Sequence, residues 1–226
     1  MSVDSPADPS DSSSGSSPDP AFDGAPGWRV TRSLRDGTIV TVRPVTPEDR
    51  EELRSAFREL SPESRYFRFL NIGPEPTDDL LTYLTSVDQK DHVAIGASME
   101  SPDLKTERGI GIARFVRLEG SPDTAEAAIT VVDDMHRRGV ATVLLHELLR
   151  AARLRGIHTL RADVLADNDT MRAILERSGA RKVLAESGEG TLAYDLAIGV
   201  ERAKEGLSLF DVLRGAAETM ALRFRR

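Results

Sequence analysis

The stretch that decides the fold is Val131-Val132-Asp133-Asp134-Met135-His136-Arg137-Arg138-Gly139-Val140-Ala141-Thr142. A β-branched strand end runs through a basic, glycine-containing turn directly into a helix, whose apolar stripe continues through Leu144, Leu145 and Leu148. Unpaired backbone N–H groups and the positive end of the helix dipole therefore meet at one spot, which predicts an anion site of the kind that holds a pyrophosphate. The two arginines add positive charge, and Gly139 allows the backbone to approach a ligand closely.

Two common phosphate-binding motifs are absent from this turn. It lacks the GxxxxGK[ST] pattern of nucleoside-triphosphate loops and the GxGxxG pattern of dinucleotide-binding folds. An ordinary helix N-terminus with surface arginines remains the alternative interpretation, because such turns are common.

Strands and helices alternate on both sides of the turn. Apolar, β-branched runs predict strands over 39–45, 92–99, 109–118, 124–132, 158–165 and 191–197. Capping residues and apolar spacing predict helices that begin near Thr46, Ser61, Thr77, Gly139 and Asp167. Because the links between the three middle strands are short, these strands are expected to be antiparallel neighbours. The order predicts an α/β fold, a mixed sheet with helices on its faces. The Gly-Ile-Gly at 109–111 is expected to mark a bulge or close packing.

The chain divides into three segments by composition. Residues 1–27 are rich in Ser, Pro and Asp and contain no Lys or Arg, which predicts a disordered leader. Residues 28–198 carry the strands and helices and are expected to form one domain. In residues 199–226, Leu209, Leu213, Ala217, Met220 and Phe224 recur at helical spacing and predict an amphipathic helical extension.

Composition excludes several classes of function. The 226 residues carry a formal net charge of −7, so a broad electrostatic attraction to nucleic acid or to an anionic membrane is not expected. The absence of cysteine excludes disulfides, zinc ribbons, iron–sulfur clusters and thiol nucleophiles. The four histidines share no ligand spacing, so no metal site is predicted. No apolar run approaches the roughly 20 residues of a membrane span, which predicts a soluble cytoplasmic protein.

Residues 124–180 resemble the central region of the GNAT superfamily of N-acetyltransferases. The loop pattern of that family is Q/R-x-x-G-x-G/A, and the corresponding residues here are His136-x-x-Gly139-x-Ala141, which depart at the first position. More narrowly, four segments are similar to bacterial protein-lysine acetyltransferase domains: 60–66, 91–94, 113–117 and 125–128. The resemblance extends over about residues 36–198.

This resemblance implies a GNAT-type mixed, mostly antiparallel sheet in which two parallel strands splay apart. The pantetheine arm of acetyl-CoA inserts in the gap, where backbone groups of Val131 and Val132 bond its amides. The pyrophosphate lies on the loop formed by Arg137, Arg138, Gly139, Val140, Ala141 and Thr142. Asn168 is implied to reach the pantetheine or the thioester, and it also reads as a simple helix N-cap.

Acetyl transfer to an amine needs a base, because a lysine with a pKa near 10.4 is neutral only about 0.04% of the time at pH 7. The resemblance places the family's glutamate base at Glu126, and the surrounding Ala, Ile, Thr and Val predict an apolar setting that raises its pKa. An exposed strand glutamate is the alternative. Asp133 and Asp134 are fallback bases. The tyrosine that many members use as general acid is replaced by Leu175.

The sequence is therefore interpreted as an acetyl-CoA-dependent N-acetyltransferase that acts on a protein lysine. A small-molecule amine is the alternative acceptor, and a non-catalytic acyl-CoA-binding regulatory module is the alternative from another class. The protein is expected to be a monomer or a homodimer, with no nucleic-acid or membrane partner.

Overall fold

The computed structural model describes residues 21–69, 75–100, 107–177, 179–184 and 190–198. Within these residues the chain forms eight strands and five α-helices. In chain order they are β1 (Val30–Ser33), β2 (Ile39–Pro44), α1 (Arg50–Glu59), α2 (Pro62–Phe69), α3 (Asp78–Thr85), β3 (His92–Glu100), β4 (Glu107–Leu118), β5 (Ser121–Val131), α4 (Val140–Leu154), β6 (Thr159–Leu165), α5 (Asp169–Arg177), β7 (Arg181–Val183) and β8 (Thr191–Ala197). The predicted extension over residues 199–226 lies outside the described residues.

Capping side chains set where the first helices begin. The backbone N–H of Thr46 donates to the Asp49 carboxylate at 2.8 Å, and a 3-10 turn over Pro47–Asp49 leads into α1. The hydroxyl of Thr77 accepts from the N–H of Leu80 at 3.1 Å at the start of α3. Each contact satisfies a backbone donor that the helix itself leaves without a partner.

The strands of the described residues form one sheet in the order β1-β2-β3-β4-β5-β6-β8-β7. Every neighbouring pair is antiparallel except β5 and β6, which are parallel. The predicted mixed, mostly antiparallel sheet with one parallel pair is confirmed. β1 and β7, the two edge strands, were not predicted from the sequence.

The parallel pair separates soon after it begins. Pairing joins Thr124–Glu126 of β5 only to Thr159–Arg161 of β6, although β5 continues to Val131 and β6 to Leu165. The second half of each strand therefore faces a gap across which no ladder hydrogen bonds run. A V-shaped opening lies at the centre of the sheet.

Helices cover both faces of the sheet around the Gly-Ile-Gly of β4. A Cβ on Gly111 would lie 3.0 Å from the Leu144 side chain of α4, whereas a Cβ on Gly109 would lie 2.9 Å from the Glu52 carboxylate of α1. The pairing of β3 with β4 shifts register between Ala97 and Ser98, which leaves Ile110 as the extra residue of a bulge. The predicted bulge and close packing are both present.

The main hydrophobic core lies between the sheet and α4. Leu144, Leu148, Ala151 and Ala152 of α4 are buried in it, as are strand residues such as Phe115. The predicted apolar stripe of this helix is therefore the surface that packs on the sheet.

The end of the predicted leader belongs to the fold. Phe22 is fully buried, its ring centroid lies 5.0 Å from that of Trp28, and its carbonyl accepts from the Arg155 guanidinium at 2.8 Å. The boundary predicted at residue 28 is therefore several residues too late. Phe22 attaches this polar segment to the core. The average composition of the segment does not reveal the effect of one aromatic residue. Residues 1–20 lie outside the described residues.

Candidate active site

The loop between β5 and α4 exposes the start of α4. After a 3-10 turn over Asp133–Met135, Arg137 has a φ of 65° and Gly139 a φ of 101°, and α4 begins at Val140. The helix has no side-chain cap and no acidic residue in its first turn. Its leading N–H groups and its positive dipole end are therefore free of a compensating side chain, which suits an anion.

The two predicted phosphate-binding arginines have different surroundings. Arg138 donates to Asp36 at 2.7 Å and to the Thr38 hydroxyl at 2.8 Å, and so ties the loop to the β1–β2 turn. Hydrogen bonds from Thr38, together with that from Arg138, hold the pKa of Asp36 at about 2. Arg137 is exposed and makes no hydrogen bond or ion pair with the described part of the chain. Of the two, Arg137 has the guanidinium that a ligand can engage.

His136, at the position where the sequence departs from the family pattern, closes the loop onto the strand end. Its Nε2 lies 2.8 Å from the carbonyl oxygen of Val131. This contact requires the hydrogen on Nε2, because a carbonyl only accepts. The side chain thus holds the loop against the last residue of β5.

The backbone groups that face the gap differ from those predicted. The N–H of Val132 donates to the carbonyl of Ile110 at 3.1 Å, and its carbonyl accepts from Met135 at 3.0 Å. Val132 is therefore committed to the protein, and the prediction that it bonds the pantetheine does not fit. Because ladder bonding alternates along an antiparallel strand, Ala127, Ile129 and Val131 direct their backbone groups away from β4 toward the gap.

A cavity lies beside the start of α4. This loop cavity has room of about 420 Å³ for water-sized molecules, and its lining includes Arg32, Arg35, Gly139 and Thr142. Arg32 is held by Glu147, a fully buried carboxylate, at 2.7 Å. This basic contribution of β1 was not predicted from the sequence. The Asp36-Gly37 pair before the next strand was the signal for the hairpin that places it.

Asn168 stands where the chain turns from β6 into α5. Its side-chain oxygen accepts from the N–H of Met171 at 3.0 Å, so it does cap the helix. That contact uses the oxygen of the amide and leaves its NH₂ group without a hydrogen bond to the described residues.

Glu126 is the last residue of the parallel ladder, at the point where the gap opens. Its side chain is exposed. The apolar setting expected for it is therefore not found, and the alternative of an exposed strand glutamate describes its surroundings. The polar face of β5 next to the gap nevertheless presents this carboxylate where the two strands separate.

The fallback bases are both engaged. Asp133 accepts from the Ser61 N–H at 2.8 Å and the Ser64 hydroxyl at 2.9 Å, and Asp134 pairs with Arg108 at 2.9 Å. Burial alone would raise the pKa of Asp133, but the bonds from Ser61 and Ser64 outweigh it and lower the pKa. Neither carboxylate suits a base.

A second cavity lies on the opposite face of the sheet, under α1, α2 and α3. This sheet cavity is lined mainly by apolar side chains, with charged groups from Arg43, Glu52, Arg68 and Arg114. Burial lowers the pKa of Arg68, and the carboxylate of Glu126 partly offsets that effect. The charge of Glu126 therefore acts on Arg68, one of the residues that line this cavity.

Leu175, which stands where many family members have a tyrosine as general acid, packs in a hydrophobic cluster. Leu175 of α5 is buried with Val164 and Tyr194. The hydroxyl of Tyr194 donates to the Glu176 carboxylate at 3.0 Å. This tyrosine is fully buried beneath α5, and its hydroxyl is occupied by Glu176.

A family model for the GNAT acetyltransferase domain matches residues 40–181, which include the sheet cavity and the loop between β5 and α4. The chain belongs to the GNAT acetyltransferase family. The predicted family, the acetyltransferase class of this domain and acetyl-CoA as its donor are confirmed.

Known GNAT proteins resemble this chain in sequence and structure. Acetyltransferase Pat of Mycolicibacterium smegmatis is 36% identical over 159 residues, a match that spans 69% of this chain and 45% of that protein. Acetyltransferase PA5475 of Pseudomonas aeruginosa is 35% identical over 155 residues, which are 67% of this chain and 80% of that protein. The crystal structure of the GNAT domain of S. lividans PAT superposes with a TM-score of 0.66 at 29% identity, and the match covers 75% of this chain and 97% of that domain.

Two negative observations apply to the GNAT domain as far as it is described. No group of three or more His, Asp or Glu side chains within the described ranges has the arrangement of a metal site. None of the helices formed by these residues is long and apolar enough to cross a bilayer.

Proposed function

We propose that this GNAT domain transfers the acetyl group of acetyl-CoA to the side-chain amine of a protein lysine, in the cytoplasm. The observation that carries the proposal is the coincidence of three features at one place. The carboxylate of Glu126 and the gap between β5 and β6 lie along the second half of β5, and the loop that follows this strand leads to the uncapped start of α4.

Acetyl-CoA would bind through main-chain groups for most of its length. The N–H groups of Val140, Ala141 and Thr142 face its pyrophosphate, with Gly139 allowing close approach and Arg137 adding charge. The backbone groups of Ala127 and Ile129 and the N–H of Val131, whose carbonyl is bonded to His136, replace the missing ladder partner and bond the pantetheine amides. The free NH₂ group of Asn168 reaches the same arm from the β6 side.

The reaction is a direct displacement at the thioester. The neutral amine attacks the carbonyl carbon, the N–C bond forms, and the C–S bond breaks with the electron pair leaving on sulfur. The amine proton passes through a water to Glu126, and the thiolate takes a proton from water. A backbone N–H in the gap stabilises the charge that develops on the carbonyl oxygen.

The proposal that the acceptor is a protein lysine rests on the similarity of this chain to Acetyltransferase Pat and to the GNAT domain of S. lividans PAT. A thiol-release assay tests it, with lysine-containing proteins and peptides in one arm and small amines in the other. Release with proteins or peptides supports the proposal. Release with small amines alone favours the small-molecule alternative, and acetyl-CoA binding without release to any amine favours the regulatory module.

A further inference from the structure

The arginines of the sheet cavity are unequally compensated. Arg43, at one end, lies 2.7 Å from Asp49, 3.5 Å from Glu52 and 3.8 Å from Glu107. Arg68 and Arg114, which also line the cavity, have no carboxylate within 4.0 Å in the described part of the chain. The cavity is therefore polarised, with excess positive charge around Arg68 and Arg114.

Arg114 is the more deeply buried of the two arginines. It is only 4% exposed, and its Nη2 donates to the carbonyl of Leu84 at 2.7 Å near the end of α3. Its other amine, Nη1, is buried and has no hydrogen-bond partner in the described residues. A buried, charged donor without a partner is costly, and an anionic ligand would supply the missing acceptor.

The surroundings raise the cost of leaving this charge unmatched. Burial, together with the nearby charge of Arg68, lowers the pKa of Arg114 to about 10. The guanidinium lies over the Tyr83 ring at 5.4 Å, and its interaction with Tyr83 offsets only part of the effect of burial on its pKa. Arg68 stacks over the Phe69 ring at 4.9 Å, and its guanidinium and that of Arg114, which line the same cavity, offer the kind of donors that bind a carboxylate.

The negative end of the cavity is too distant to supply that anion. Glu52 lies against Gly109, five residues before Arg114 on β4, which corresponds to roughly 15 Å along the strand. The cavity has room of about 90 Å³ for the centres of water-sized molecules, several times what one water molecule requires. Glu126 lies on β5 beside the positive end, where its charge acts on Arg68.

We infer that Arg68 and Arg114 form a subsite for a carboxylate carried by the acceptor, close to the amine that Glu126 deprotonates. The inference rests on the proposed function and narrows its substrate class to acceptors that bear a negative charge near the reacting amine. The carboxylate belongs either to an acidic side chain flanking a protein lysine or to a small amino acid.

The test measures binding, so that it does not depend on turnover. The full 226-residue protein is saturated with CoA, and dissociation constants are measured by fluorescence anisotropy for labelled peptides with one lysine. A single Asp, or a matched Asn, is placed in turn at each of the three positions before and after the lysine. A second arm compares 6-aminohexanoate with its amide by calorimetry.

The wild-type protein should bind an Asp peptide about 10- to 100-fold more tightly than its Asn partner at one or two positions. Arg68→Gln should abolish this preference, and Arg114→Lys, which keeps a charge to hold Leu84 but loses the guanidinium, should reduce it. Arg58→Gln removes an equal charge from an exposed site on α1 and should leave the preference intact. A preference in the amino-acid arm alone identifies a small-molecule source of the same carboxylate.

Equal affinity for every Asp and Asn pair, with equal affinity for the acid and the amide, would overturn the inference. So would a preference that persists in both arginine variants. The proposed function fails separately, by the absence of thiol release with all amines. Release with amines in general but without any effect of a carboxylate would leave the proposed function standing and remove the subsite.

Discussion

The Nε2 of His136 lies 2.8 Å from the carbonyl oxygen of Val131, and this hydrogen bond joins the loop between β5 and α4 to the end of β5. His136→Ala should therefore loosen the loop and weaken acetyl-CoA binding about 3- to 10-fold, the worth of one hydrogen bond. Calorimetry with acetyl-CoA measures the effect. His136→Gln, which keeps a donor, should recover part of the affinity. An alanine variant with wild-type affinity would show that the contact does not support the site.

Two substitutions of Gly139 separate the effect of charge on acetyl-CoA binding from the effect of backbone conformation. A Cβ there would meet nothing within 4 Å, but the φ of 101° strains any other residue. Gly139→Glu and Gly139→Gln share that strain and differ only in charge. The glutamate variant should lose acetyl-CoA binding without unfolding, and the glutamine variant should bind at least tenfold more tightly than it. Equal binding by the two variants would mean that the phosphates lie elsewhere.

Glu126→Gln should leave acetyl-CoA affinity intact and lower kcat by about 10² to 10⁴, the usual worth of a positioned base. The loss should shrink as the pH rises, because the amine then deprotonates unaided. Steady-state kinetics with saturating acceptor measure both effects. Asp134→Asn should retain most of its turnover, because that carboxylate is occupied by Arg108. Wild-type turnover in the Glu126 variant at neutral pH would remove this residue from the mechanism.

Phe22 is expected to contribute to stability although it precedes the predicted domain. Phe22→Ala removes a fully buried ring and should lower the free energy of unfolding by about 3–5 kcal/mol, with a smaller loss for Phe22→Leu. Urea denaturation gives the values. The acetyl-CoA affinity of the folded variant should be unchanged, since Phe22 is remote from the α4 loop. An unfolding free energy equal to that of the wild type would mean that the N-terminal segment does not dock.

The lowered pKa of His92 predicts a specific loss of stability at acidic pH. Burial, reinforced by the charge of Arg114 and opposed by Asp88, lowers the pKa of His92 to about 4 from its ordinary 6.5. Between these two pH values the unfolded chain binds more protons than the folded protein. The contribution of His92 to the free energy of unfolding is therefore complete above pH 6.5 and is lost as the pH falls toward 4. Relative to His92→Gln, the wild type should lose on the order of 1–2 kcal/mol over this window, after a discount for partial exposure. Urea denaturation of both proteins at pH 7 and 4.5 measures the difference, and parallel curves would contradict the prediction.

Local patterns predicted the elements around the loop well. The strand, basic turn and helix over 124–154 appear within three residues of their expected bounds, because apolar periodicity and Gly139 determine them locally. The short edge strands escaped prediction. β7 has three residues, too few for a period to emerge, and β1 is recognisable only through the Asp36-Gly37 turn that follows it.

The site depended on contacts between distant segments that no local pattern encodes. Arg137 and Arg138 are equivalent in the sequence, and only the β1–β2 turn, about 100 residues earlier, distinguishes them by binding Arg138. Arg68 and Arg114 are separated by 46 positions and meet only because α2 folds over β4. Whether Glu126 is exposed likewise depends on the elements on its face of the sheet, which its own strand does not reveal.

The gap between β5 and β6 has a consequence for how this protein tolerates change over evolutionary time. The groups that Ala127, Ile129 and Val131 direct into the opening belong to the main chain, and a side-chain replacement cannot delete them. Substitutions there alter packing against α4 while the row of donors and acceptors persists. Side-chain substitutions therefore leave the main-chain groups that bind acetyl-CoA in place. Binding of the acceptor depends on individual arginine side chains, so single substitutions can change it.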